Sequence, residues 1–190
     1  MLKDILLKTA ELINRDDLIN ALKNEQIETQ EISQSIQNDI FRLISYYNYT
    51  MESLCDNYFN LVHHQNIYSN GNKKINYLNF DFEPTKITKV TKNEKPVFFS
   101  EYSKYITVPE ENVLYNITYK FLPDRITDLN QKIELPHGVT KKLLCYGIAS
   151  EFLASKNQLD FAEYWKNKFM FEIFKSKTTQ DRKLKPTFLL

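Results

Sequence analysis

The composition of this 190-residue chain limits the classes of protein to which it can belong. With 42% hydrophobic and 14% aromatic residues, the chain can bury a core, which excludes an intrinsically disordered polypeptide. Its formal net charge of +1 excludes a strong overall attraction to nucleic acid, anionic lipid or acidic substrates.

Helical spacing of apolar residues dominates the first third of the chain. It predicts a helical segment over about 2–23, in which Asp16 or Asp17 caps a further short helix that ends at Lys23. A second apolar stripe, free of proline and glycine, predicts a long helix over about 31–58. The chain therefore begins with N-terminal helices.

A shorter apolar period follows the turn dipeptide Asn70-Gly71. Between about 73 and 122, short runs rich in β-branched and aromatic residues are separated by Asn93 and by prolines. These runs are INYLNFDF, ITKV, PVFFS, YITV and VLYNITYKFL. They predict an insertion of four or five strands, paired antiparallel. The next segment, FLPDRITDLNQKIELP, predicts an extended connector.

Two helices are predicted near the C-terminal end, over about 138–155 and 159–177, with Asn157 in the left-handed conformation between them. Residues 178–190 are predicted to be a tail. The predicted fold class is α+β and mainly α, a helical bundle of N-terminal helices and a C-terminal helix hairpin with an antiparallel β insertion. We expect one domain over 1–177.

Gly147 lies in the interior of the first of these helices, where glycine costs about 1 kcal/mol relative to alanine. Small residues at neighbouring helical positions predict a groove in which the last helix packs closely. The predicted helix-packing residues are Leu143, Tyr146, Gly147, Ser150, Ala154, Ala162, Trp165 and Phe169. Phe171 and Phe174 fall outside the resulting stripe, and we predict that they form a subunit interface.

No motif for catalysis or for cofactor binding is present. Ser150 is not in a G-x-S-x-G turn between strand and helix, so we interpret it as a packing residue and not a nucleophile. Three glycines spread over the chain cannot form a phosphate-binding loop. The soft metal-ligand candidates match no ligand spacing: Cys55, His63, His64, His137 and Cys145. We therefore expect no catalytic residue, no cofactor and no metal, and a protein that is not an enzyme.

The cysteines and the apolar segments indicate where the protein is made. Cys55 and Cys145 form no disulfide framework, so we expect synthesis in a reducing, intracellular compartment. The N-terminal MLKDILLKTAELIN alternates charged and apolar residues, unlike a secretory signal. No stretch approaches the roughly 20 apolar residues that span a bilayer, so we expect a soluble protein without a membrane partner.

Lysines alternate with aromatic residues in the β insertion, as in ITKVTKNEKPVFF and YSKYITV. This pattern is found in sheets that bind single-stranded nucleic acid, but any two-faced antiparallel sheet produces it too. Five glutamates in the insertion offset the lysines, so we favour a structural sheet. A sheet-based nucleic-acid-binding module remains the alternative function, and a hydrolase that uses Ser150 is a third hypothesis.

Short motifs follow one another along the C-terminal half of the chain. They are Tyr119-Lys120-Phe121-Leu122-Pro123, Leu135-Pro136, Leu144 with Tyr146-Gly147-Ile148-Ala149-Ser150-Glu151, and Ala162 followed by Trp165. With the preceding helices and the β insertion, this order resembles the head-to-tail adaptor (connector) proteins of tailed bacteriophages. The resemblance covers most of residues 1–175 in layout and residues 115–170 in motif. It departs from the family in its larger β insertion and in Asn157, where relatives often have glycine.

The resemblance implies a structural virion protein that is synthesised in the host cytoplasm and located in the neck of the virion. Such proteins form a homo-oligomeric ring, commonly of twelve copies, that binds below the portal protein, extends the DNA channel and offers a platform for the next neck or tail protein. Double-stranded DNA would pass through without sequence recognition.

The C-terminal tail combines a basic cluster with an apolar end. The residues concerned are Arg182, Lys183, Lys185, Phe188, Leu189 and Leu190. A basic and apolar segment can fill an apolar pocket of a partner while its charges meet an acidic rim. In line with the adaptor resemblance, we predict that the tail docks on the portal or on an adjacent subunit; the alternative is a frayed terminus.

Overall fold

The computed structural model describes residues 2–23 and 33–183, with side chains up to residue 176. The chain divides into two compact units. The helical unit consists of residues 1–59 and 125–190, and the β unit consists of residues 60–124. The protein is therefore α+β, with helices in one unit and antiparallel sheets in the other.

Three helices form the first part of the helical unit: α1 (Leu2–Leu12), α2 (Asp16–Lys23) and α3 (Gln34–Asn57). The chain turns between α1 and α2 where Asn14 adopts a positive φ of 53°. Ser33 caps α3, since its Oγ accepts a hydrogen bond from the Ile36 amide at 3.4 Å. The prediction that this helix begins near residue 31 lies outside the described residues.

The second part of the helical unit contains α4 (Lys141–Ser155) and α5 (Leu159–Lys183). Thr140 caps α4 by accepting a hydrogen bond from the Leu143 amide at 3.2 Å. Asn157 has a φ of 58° in the turn between the helices, as predicted. The predicted end of the last helix at residue 177 is wrong, because the backbone stays helical to Lys183. Residues 184–190 of the predicted tail lie outside the described residues.

The connection that leads into α4 has no regular secondary structure, as predicted, but it is tied to α3 by one side chain. The Asn48 amide nitrogen donates to the Ile126 carbonyl at 2.7 Å, and the Ile126 amide donates to Asn48 Oδ1 at 2.9 Å. Ile126 and Ile133 are buried. Within the unit, α4 packs against α1, α3 and α5.

The β unit has seven strands in the described chain: β1 (Val62–Tyr68), β2 (Lys74–Asn76), β3 (Pro84–Lys92), β4 (Lys95–Pro96), β5 (Ser100–Glu101), β6 (Tyr105–Thr107) and β7 (Leu114–Phe121). They form two antiparallel sheets, with strand orders β1-β7-β3-β4 and β2-β6-β5. Tyr115, Ile117 and Tyr119 of β7 are fully buried in the core of this unit.

The sequence pattern predicts no strand at VHHQNIY, which forms the first strand of this unit. The inward positions of β1 are His63, Gln65 and Ile67, so only one is apolar and no alternation is visible. Two predicted strands are also wrong in extent. INYLNFDF contains the last two residues of β2 and a short 3-10 helix, and PVFFS is largely irregular, with Phe98 97% exposed.

The sequence of β3, PTKITKVTK, has an apolar residue or proline at every third position, and we call this its three-residue rhythm. In a regular strand, by contrast, every second side chain points to the same face. Every third residue, Pro84, Ile87 and Val90, is buried, and the register shifts between Pro84 and Lys86 and again between Ile87 and Lys89. At these irregularities the threonine hydroxyls donate to β7 carbonyls: Thr85 to Lys120 at 3.2 Å and Thr88 to Thr118 at 2.9 Å. The bulges keep the apolar residues facing the core.

The ends of the β unit lie beside each other. Val62 of β1 is the register partner of Lys120 in β7. The Phe121 amide donates to the Leu61 carbonyl at 3.3 Å, and Lys120 Nζ donates to Asn60 Oδ1 at 2.6 Å. The chain therefore enters and leaves this unit through two hydrogen-bonded neighbouring segments.

Candidate interaction surfaces

Gly147 is the point of closest approach between α4 and its neighbours. A Cβ atom at this position would overlap Thr50 Cγ2 of α3 and would lie 3.0 Å from Phe169 Cε2 of α5. Real Cβ atoms do not come this close to other atoms, so the packing of both helices requires glycine here. The sequence predicted the approach of α5, but it gave no sign of Thr50.

Polar and aromatic contacts reinforce the hairpin of α4 and α5. The Ser150 hydroxyl donates to the Ala162 carbonyl at 3.0 Å. The rings of Tyr146 and Trp165 lie 5.2 Å apart between centroids. Ser150 is buried and its hydroxyl bonds to backbone, so its observed role is in packing.

The other predicted helix-packing residues divide into buried and exposed positions. Leu143 and Ala162 are buried, and Phe169 is half-buried. The prediction for Ala154 is wrong, because this residue is exposed. Leu159, across the turn between the two helices, is also 65% exposed, so this end of the hairpin is open to solvent at both residues.

The side of α5 that faces away from α4 carries four large exposed aromatic side chains, which we call the aromatic face. Phe161, Tyr164, Phe171 and Phe174 are each between 51% and 67% exposed. At 100° per residue they occupy one arc of the helix, opposite the buried Ala162 and Ile173. In proteins generally, large exposed apolar patches are typical of interaction sites.

Asp39 lies at the centre of a group of side chains that we call the Asp39 cluster: Arg15, Lys156 and the ring of Phe152. Arg42, one turn further along α3, adds a third cation, with its Nη1 3.4 Å from Asp39 Oδ1. The Asp39 side chain is only 3% exposed, and its carboxylate oxygens lie 2.8 Å from Lys156 Nζ and 3.0 Å from Arg15 Nη1. Both cations also lie over the Phe152 ring, at 5.7 Å for Arg15 and 5.4 Å for Lys156. The cluster joins the α1–α2 turn, α3 and the C-terminal end of α4.

The pKa of Asp39 reflects two opposing influences. Burial is the largest and acts to raise it, but the hydrogen bonds and charges of Lys156 and Arg15 together outweigh burial. The pKa of Asp39 therefore lies below its ordinary value. No sequence pattern indicated this cluster.

The residues considered for metal binding or nucleophilic chemistry are dispersed. Burial raises the pKa of the Cys55 thiol to about 11 and also raises that of Cys145, which disfavours the reactive thiolate of both. His63 Nε2 lies 3.2 Å from Asp81 Oδ2, while the neighbouring His64 faces the other side of the sheet. In the described part of the chain, no three His, Cys, Asp or Glu residues are grouped to hold a metal ion.

The predicted tail residues are described only in part. Arg182 and Lys183 belong to the last turn of α5, but their side chains lie outside the described residues, as do Lys185, Phe188, Leu189 and Leu190 entirely. None of the described helices combines the length and apolar composition needed to cross a bilayer.

Comparison of the chain with protein-family models and with curated proteins gives no match.

Proposed function

We propose that this protein is a head-to-tail adaptor of a tailed bacteriophage, located in the neck of the virion. In this proposal its helices form a bundle, and copies of the chain form a ring, commonly of twelve, below the portal protein. The ring extends the channel for double-stranded DNA and offers a platform for the next neck or tail protein. Its role is structural, without catalysis or a cofactor.

The aromatic face of α5 is the observation that supports this proposal most directly. The aromatic face also carries charged and polar residues, including Asp160 and Lys168, as the interfaces of soluble proteins commonly do. A helix that exposes several large aromatic side chains opposite its buried side is expected to be covered on both sides in the functional assembly. One side of α5 already packs on α4 through Ala162 and Ile173. Aromatic residues are enriched at protein interfaces, so the other side suits a neighbouring subunit. In a closed ring this contact is heterologous, so the face meets a different surface of the next copy.

Electron microscopy of the purified protein, with and without the portal protein of the same phage, tests the proposal. Closed rings, or an added collar below the portal, are the expected result. A particle that stays monomeric at high concentration and does not associate with the portal would count against an adaptor role.

The double substitution Phe171→Ser/Phe174→Ser is expected to abolish ring assembly while the monomer stays folded. Both side chains are more than half exposed, so their loss removes interface area with little effect on the core. Analytical ultracentrifugation reports assembly, and circular dichroism reports folding. A matched control is Phe41→Ser/Tyr49→Ser, which removes two exposed aromatic side chains from α3. Unfolding of the α5 variant would assign these residues to the core instead.

The predicted docking of the tail is tested by truncation after Lys177. We expect the truncated chain to keep its thermal stability and most of its helix content, because only the last turns of α5 are removed from the described fold. Stable attachment to the portal should be lost. The variant Arg182→Gln/Lys183→Gln/Lys185→Gln separates the basic from the apolar contribution. Unchanged attachment of the truncated protein would refute docking by the tail.

A further inference from the structure

The outer face of the four-stranded sheet brings together three lysines from two strands. In the register of β3 with β7, Lys86 is paired with Lys120, and Lys89 is paired with Thr118. These residues alternate with the buried partners Ile87 and Tyr119, so they share the face that points away from the core. The bulges of β3 make this possible, because without them the three-residue rhythm would turn one of its lysines inward.

No negative charge compensates these lysines. The strands β1, β3 and β7 contain no Asp or Glu. Among the described residues, no carboxylate lies within ion-pair distance of Lys86, Lys89 or Lys120. Lys120 Nζ donates to the neutral Asn60 Oδ1, so its charge is not neutralised by this contact. The third lysine of the rhythm, Lys92, instead faces the other way and pairs with Glu110 at 2.6 Å. Like charges directly opposite on adjacent strands destabilise a sheet, so the Lys86–Lys120 pair favours an external anion.

The rest of this surface consists of fixed polar groups. Asn116 Nδ2 donates to Asn66 Oδ1 at 3.0 Å, and His64 Nδ1 lies 2.9 Å from Thr118 Oγ1. We call these four residues and the three lysines the lysine face. Two exposed aromatic rings lie at its borders: Tyr68 at the end of β1, and Phe98, which directly follows Val97, the hydrogen-bonded neighbour of Val90 in β3. The centre of the face therefore offers cations and hydrogen-bonding groups but no ring on which a base could stack.

We propose that the lysine face binds the phosphate backbone of double-stranded DNA without reading its sequence. Lysines neutralise phosphates on a regularly charged duplex, whereas single-strand binding depends on stacking of bases on aromatic side chains. The centre of this surface, which holds lysines but no carboxylate, fits the first partner, whereas the aromatic side chains that the second requires lie at its borders. The choice of DNA over RNA rests on the proposed function, in which a DNA duplex passes through the ring.

Binding of a fluorescent 30-base-pair duplex to the full-length protein tests the proposal, with affinity measured by anisotropy between 50 and 200 mM salt. The variant Lys86→Gln/Lys89→Gln/Lys120→Gln is expected to bind at least tenfold more weakly at the lowest salt. The slope of log affinity against log salt should fall by about 2 to 3, since each phosphate contact contributes about 0.9. The control is Lys104→Gln/Lys132→Gln/Lys166→Gln, which removes the same charge from exposed positions elsewhere and should bind like the parent.

Three results would overturn the inference: no duplex binding by the parent protein, an equal loss in the control variant, or tighter binding to the single strand of the same sequence. Ring formation is scored separately by electron microscopy of the same samples. Rings that do not bind DNA would refute this inference alone. A chain that binds DNA through the lysine face but never forms rings would support it and contradict the adaptor proposal.

Discussion

Gly147→Leu is expected to lower the free energy of unfolding by roughly 3 kcal/mol, at the upper end of the usual cost of overpacking. The first added carbon would already overlap Thr50 Cγ2 and press on Phe169, and leucine would add three more. The better helix propensity of leucine, worth less than about 1 kcal/mol, does not offset this cost. Urea denaturation followed by circular dichroism measures the change.

A substitution at the neighbouring Thr50 provides a control for this prediction, because Thr50 is the residue that a side chain at position 147 would overlap. Its Oγ1 is buried and has no hydrogen-bond partner among the described residues, so Thr50→Ala removes an unsatisfied group and makes room. We expect Gly147→Ala to destabilise the parent protein but to be tolerated, or even stabilising, in a Thr50→Ala background. A coupling energy of about 1 to 2 kcal/mol is expected for two residues in contact. Stabilisation by Gly147→Ala in the parent would show that the helices separate easily.

Asp39→Ala is expected to cost roughly 2 to 4 kcal/mol, because it leaves Arg15 and Lys156 close together without their shared anion. The two cations are partly exposed and can recover some hydration, which keeps the cost below that of a fully buried pair. Thermal unfolding measures the loss. Asp56→Ala, an exposed aspartate on the same helix, is the matched control and should change stability little.

The pH dependence of unfolding shows how much of the stabilisation by Asp39 comes from its negative charge and how much from its packing. The pKa of this carboxylate is lowered in the folded state, so its stabilising contribution is complete above the ordinary value of 3.8. The contribution disappears as the pH falls below that value and through the folded-state pKa. Asp39→Asn keeps the shape but removes the charge, so it should destabilise at neutral pH and flatten the acid limb of the stability curve. An unchanged acid limb would mean that other carboxylates set it.

The helices could be predicted because each has a sustained apolar period, as from Ile36 to Leu54 in α3 and from Ala162 to Ile173 in α5. The C-terminal end of α5 could not be predicted, since the polar sequence TTQDRK contains no glycine or proline that would stop the helix before Lys183. In the β unit, β1 could not be predicted because two of its three inward positions are occupied by the polar residues His63 and Gln65. Such polar residues remove the alternation on which strand prediction depends.

Among the candidate surfaces, those formed within one helix could be predicted from the sequence, whereas those that bring distant segments together could not. Phe171 and Phe174 are exposed, and their place beside the packing stripe follows from helical geometry within one segment. The Asp39 cluster depends on Lys156, which is 117 residues away along the chain, and no local pattern specifies that pairing. The lysine face depends on the strand register of β3 with β7, which two bulges set and the sequence period alone does not reveal.

The adjacent ends of the β unit have a consequence for the order of folding. The two parts of the helical unit are separated by the 65 residues of the β unit, so bringing the connection that begins at Arg125 to α3 in the unfolded chain closes a long loop. Once β1 has paired with β7, the Leu61–Phe121 contact reduces that loop to a few residues. Each halving of loop length saves about 0.6 kcal/mol of closure entropy, so prior folding of the β unit favours assembly of the helices by roughly 2 kcal/mol. A β unit that folds first thus shortens the effective chain between the two parts of the helical unit and lowers the entropic cost of their association.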